Sequence, residues 1–105
     1  MDRDFFEDSM LYEDLTGKIL EASFEVSKEL GIGFVEPVYE KALMVALIQK
    51  GLKVESQVPL KVLFRKVIVG EFKADILVED KILIELKAVS RACRINLSDM
   101  FLISY

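Results

Sequence analysis

The alternation of apolar and polar side chains between Phe72 and Ala88 constrains this chain more than any other feature. Phe72, Ala74, Ile76 and Val78 occupy even positions, and so do Ile82, Ile84, Leu86 and Ala88. In an antiparallel pair, directly opposed residues project from the same side of the sheet. One apolar face therefore requires Val78 opposite Ile82, with Glu79-Asp80-Lys81 as a three-residue loop. The same register sets Ile76 opposite Ile84, Ala74 opposite Leu86 and Asp75 opposite Glu85. A slip of one residue would pair buried with exposed side chains throughout.

The segments before this hairpin are read by their period. Ile19, Ala22, Val26 and Leu30 recur at three and four residues, which predicts a helix from about Leu15 to Leu30. Gly31 and Gly33 break it. A second helix is predicted from Val35 to Lys50, with Glu36 and Pro37 in its first turn and Gly51 as its C-terminal cap. From Val54 to Val62 the pattern changes to strand, and Pro59 confines that strand to an edge or a bulge. Val67 to Val78 and Ile82 to Ala88 form the hairpin. In the tail, Ile95, Asp99 and Leu102 fit one face of a helix. The expected domain spans residues 15–105, behind a poorly ordered lead-in over residues 1–14. The expected class is α+β: two N-terminal helices packed on a small mixed β-sheet.

Several kinds of chemistry are excluded by composition. The chain has no histidine, so it has no imidazole base, triad or imidazole metal ligand. A single cysteine, Cys93, rules out an intrachain disulfide and a thiolate zinc cluster. The longest apolar run, Ala42 to Ile48, falls far short of the ~20 residues of a membrane helix. The acidic N-terminus is not a secretory signal, and a cytoplasmic location with no membrane partner is expected. The net charge of −4 is unevenly divided. Residues 1–55 carry 6 basic and 12 acidic groups, whereas residues 56–105 carry 8 basic and 6 acidic groups, so a polyanion should meet the second half.

The hairpin register leaves Asp75, Glu85 and Lys87 on the face opposite the apolar one. Two facing carboxylates repel by a few tenths to about 1 kcal/mol, and a divalent cation between them reverses the sign. An all-oxygen site selects Mg²⁺, Mn²⁺ or Ca²⁺. A solvated face carrying scattered charges is the competing interpretation. Leu77 and Leu83 lie on that face too, and they argue that it is partly covered.

Asp75 followed by Glu85-Leu86-Lys87 resembles the D…ExK signature of the PD-(D/E)XK nucleases. The stretch Gly33-Phe34-Val35-Glu36-Pro37-Val38-Tyr39-Glu40-Lys41-Ala42-Leu43 resembles the signature of the GxxExxY proteins, a small branch of that superfamily. Gly51 to Pro59 and the block from Ala74 to Val89 follow the same order and spacing. The resemblance implies a restriction-endonuclease-like core and Mg²⁺- or Mn²⁺-dependent hydrolysis of phosphodiesters, in DNA rather than RNA. It implies Asp75, Glu85, Glu36 and the Leu86 carbonyl as metal ligands and Lys87 as the catalytic lysine. It also sets Tyr39 and Gln57 beside the substrate.

Residues 90–105 depart from that pattern. They hold no glutamine, and the chain stops where a further strand is expected. The domain is therefore expected to be truncated at its C-terminus, with an open sheet edge. An inactive nuclease-like module that binds a protein or nucleic-acid partner is the alternative function, and the apolar end from Phe101 to Tyr105 makes a homodimer one option.

Overall fold

The computed structural model describes residues 13–89 and 92–99. Two helices, α1 (Glu13–Leu30) and α2 (Glu36–Gln49), precede four strands, β1 (Val54–Phe64), β2 (Val67–Val78), β3 (Ile82–Val89) and β4 (Ala92–Asp99). Of the expected lead-in, only Glu13 and Asp14 are described, and they open α1. The remainder, residues 1–12, lies outside the described residues, as does the apolar end from 101 to 105.

α1 buries Ile19 and Ala22 and lays Leu15, Val26 and Leu30 against the same core. α2 buries Tyr39, Leu43 and Leu47 at four-residue spacing. Both helices end on glycine at positive φ. At Gly31 (φ +81°) the amide bonds back to the Ser27 carbonyl at 3.1 Å. At Gly51 (φ +82°) a Schellman pair closes α2: Gly51 N–H donates to Ile48 at 2.9 Å and Leu52 N–H to Leu47 at 3.2 Å. Leu52 then packs on the core that holds Leu47. Lys50 ties the helices together, its ammonium 2.7 Å from Glu21 and 3.2 Å from Glu25, which are one turn apart on α1. The hydrogen bond to Glu21 holds the Lys50 pKa above its ordinary value, and the same bond lowers that of Glu21.

The sheet order is β1-β2-β3-β4. Every described pairing is antiparallel, so the sheet is not the mixed one expected. The reason is connection length: successive strands are joined by only two or three residues, too few for a parallel crossover. Ile76↔Ile84, Leu77↔Leu83 and Val78↔Ile82 pair in the register that side-chain alternation requires. Pro59 sits on the edge strand β1.

The tail helix expected around Ile95 to Leu102 is instead strand β4, paired along the whole of β3. Ile95 and Leu97 are two residues apart and both pack on the core, a strand period that outweighs the weaker helical spacing. β4 covers the β3 edge that the missing strand was expected to leave open. The side chains of Cys93, Arg94, Asn96 and Asp99 are outside the described set, as is Arg91.

The sheet has two cores. Ile76, Val78, Ile82, Ile84 and Leu86 face the helices. Leu77 and Leu83 form a second cluster with Leu60 and Ala74, backed by Val58 and Phe72. Ala74 is thus grouped with odd-numbered Leu77 and not with even-numbered Ile76. The alternation changes side at Asp75, and the base of the β1–β2 ribbon covers the sheet face turned away from the helices.

At the ribbon tip Arg65 and Lys66 both have positive φ, 51° and 66°. A two-residue loop of this kind favours Asn-Gly, and a bulky residue in that region costs about 1–2 kcal/mol. The Arg65 guanidinium, 5.0 Å above the Phe64 ring, returns only about 0.5–1 kcal/mol at an exposed site. Arg65→Asn with Lys66→Gly is therefore expected to raise stability by about 1 kcal/mol. Urea unfolding measures it; an unchanged or lower midpoint would contradict the strain argument.

Candidate active site

The β2–β3 ladder ends at Ile76↔Ile84. One step further, where Asp75 was expected to face Glu85 as a ladder pair, the strands part. Asp75 Oδ2 instead accepts the Leu86 N–H at 2.7 Å. A half-buried carboxylate has taken the place of a backbone acceptor, and this joins Asp75 directly to the Glu85-Leu86-Lys87 segment. In an extended strand one residue's N–H and C=O project to the same edge. The Leu86 carbonyl is therefore turned toward β2 and Asp75 as well.

Gln57 lies opposite Asp75, between the pairs Ser56↔Ile76 and Val58↔Ala74. It has left the ladder, with φ 53°. Its exposed side chain donates from Nε2 to Glu40 Oε1 at 2.8 Å. Backbone irregularities on two adjacent strands thus coincide with Asp75. Such positions are uncommon for non-glycine residues, and they cluster where a site needs a particular geometry.

Glu85 and Lys87 are exposed and two residues apart on β3, so they share one face. It is the face of Leu83, turned away from the helices. Glu36 is exposed in the first turn of α2, in line with Leu43 and Leu47 and so on the helix layer's side of the sheet. Among the described residues no group of three acidic, cysteine or histidine side chains is placed to hold a metal ion.

Tyr39 is buried, at 4% exposure. Its hydroxyl donates to the Gly31 carbonyl at 2.8 Å and accepts the Phe34 N–H at 3.3 Å. Its ring meets Phe34 edge to face at 6.2 Å. The hydroxyl thus has two partners in the α1–α2 turn, and Tyr39 positions the start of α2. Glu40 was missed in the sequence. It stands one helical turn after Glu36, a spacing that puts both on nearly one face, and it is the acidic residue of α2 that reaches β1.

The candidate donors on these two strands are oxygens alone: the second oxygen of Asp75, the exposed Glu85 carboxylate and the Leu86 carbonyl. Two carboxylates and a carbonyl suit a hard divalent cation that keeps part of its water and meets a phosphate. Among the described residues Lys87 makes no ion pair, which leaves its ammonium available to an anion.

No helix among the described residues is long and apolar enough to cross a membrane. No curated protein and no solved structure matches the chain significantly. A family model does match, over residues 13–102, from the start of α1 past the end of β4. That span contains the Asp75 carboxylate, the Glu85-Leu86-Lys87 segment it holds and the strands that carry them, and the chain belongs to the PD-(D/E)XK nuclease superfamily.

Proposed function

We propose that the protein is a nuclease that hydrolyses phosphodiester bonds of DNA with Mg²⁺ or Mn²⁺, within the GxxExxY branch of its superfamily. One observation carries this reading: the 2.7 Å bond from Leu86 N–H to Asp75, which unites the separated halves of the D…ExK signature. Asp75, Glu85 and the Leu86 carbonyl would hold the cation. When bound, it lowers the pKa of a coordinated water and neutralises phosphate charge. Lys87, on the face of Glu85, places its ammonium beside the phosphorus as negative charge builds on the phosphoryl oxygens. A water oxygen bonds to phosphorus, one ester P–O bond breaks, and an alcohol and a phosphate monoester result. Gln57, held by Glu40, lies beside Asp75 for contact with the nucleic-acid backbone.

Calorimetric titration with Mg²⁺ and Mn²⁺ tests the site. The wild type is expected to bind, and Asp75→Ala with Glu85→Ala is expected to abolish the heat. A folded wild type that binds neither ion would overturn the metal site and favour an inactive nuclease-like module.

A further inference from the structure

We infer that the β1–β2 ribbon is a DNA-binding arm that lies in the major groove of a duplex beside the scissile phosphate; this rests on the nuclease reading and adds the substrate surface. The base of the ribbon is docked, through Leu60 and Ala74, on Leu77 and Leu83. Beyond it the ribbon projects. From Lys61 to Glu71 every residue is exposed except Val62 and Gly70, which are half-buried. A two-stranded ribbon with both faces in water is marginal by itself, and Phe64, Val67, Ile68 and Val69 are each more than half exposed here. Such a surface needs an occupant.

Charge selects which. Residues 58–73 carry Lys61, Arg65, Lys66 and Lys73 against a single acid, Glu71, a net +3 in a chain of net −4. The remainder of the protein is therefore at −7. Among the described residues none of the four cations makes an ion pair. Lys61 and Lys73 line one open groove along the ribbon, together with Pro59, Leu60, Glu71 and Phe72. Lys73 is two residues from Asp75 on the same strand, so the cations are strung along the ribbon from its tip to within two residues of Asp75.

Dimensions agree with a duplex. Val67 to Asp75 is eight strand steps, roughly 26 Å at ~3.3 Å each. That equals about eight base pairs at ~3.4 Å. The major groove of B-DNA admits a two-stranded ribbon, and its thymine methyls accept apolar side chains such as those beside the tip. The deep, narrow major groove of an RNA duplex does not admit one.

The test is fluorescence anisotropy of a labelled DNA duplex of about 20 base pairs, with EDTA to prevent cleavage. If four cations displace counterions, the wild type should show a slope of log K on log salt near −3.6, from ~0.9 per phosphate contact. Arg65→Asn with Lys66→Gly keeps a turn sequence suited to the tip and removes two of those charges. Its slope should flatten by about 1.8, with a loss of affinity of tenfold or more at low salt. Lys61→Gln with Lys73→Gln should do the same. An unchanged slope in both variants, no duplex binding by the wild type, or equal binding of an RNA duplex would each overturn the arm. Hydrolysis of bis(p-nitrophenyl) phosphate by the wild type, which needs no arm, reports on the nuclease reading separately.

Discussion

Asp75→Asn is expected to keep the fold and lose the hydrolysis, whereas Asp75→Ala loses both activity and stability. The difference follows from the two things that one carboxylate does. Its Oδ2 satisfies the N–H of Leu86, a residue only 7% exposed. An asparagine can present its amide oxygen to the same N–H. Alanine leaves the donor without a partner, at a cost of about 1–3 kcal/mol. The negative charge is a separate requirement. Neither variant supplies it, and removing one preorganised electrostatic group from an active site typically lowers turnover by about 10²–10³-fold. Urea midpoints and the rate of DNA cleavage in Mg²⁺ measure the two effects independently. Full activity in Asp75→Asn would remove Asp75 from the reaction, and equal stability of the two variants would deny the hydrogen bond any structural weight.

Ile84→Ala is the largest expected change in stability. Ile84 is fully buried, paired with Ile76 on one side and Leu97 on the other, and it faces the helices. Truncating such a side chain removes its transfer free energy and leaves a cavity, for about 2–5 kcal/mol. Against a typical domain stability of about 5–15 kcal/mol, that is enough to lower the urea midpoint by a large fraction. A shift no bigger than that of a surface substitution would mean that the helix layer does not pack on β3 as described. The neighbouring Leu83 belongs to the other cluster, so Leu83→Ala should act by loosening the ribbon base.

Much of this was legible beforehand because it rests on local repetition. The hairpin from Val78 to Ile82, with its three-residue loop, follows from side-chain alternation, since one face had to be apolar. α1 follows from its three- and four-residue spacing, α2 from Glu36-Pro37 at its start, and their ends from Gly31 and Gly51. β4 was misread because Cys93, Ile95 and Leu97 offered only a short alternating run to set against a helical spacing. What distinguished them was the open edge of β3, which is not a local property.

Residue types and order by themselves determined the two helices, the hairpin register, and the absence of imidazole and disulfide chemistry. They also carried the D…ExK residues and the basic second half. Only the tertiary structure decided that Asp75 binds the Leu86 amide, that the sheet changes face there, and that Glu40 reaches Gln57. The physical reason is that alternation along a strand reports which side a residue takes only while the ladder continues. At Asp75 and Gln57 the ladder is broken by a side chain replacing a backbone partner and by a positive φ. From that point the packing of the ribbon on Leu77 and Leu83 sets the geometry.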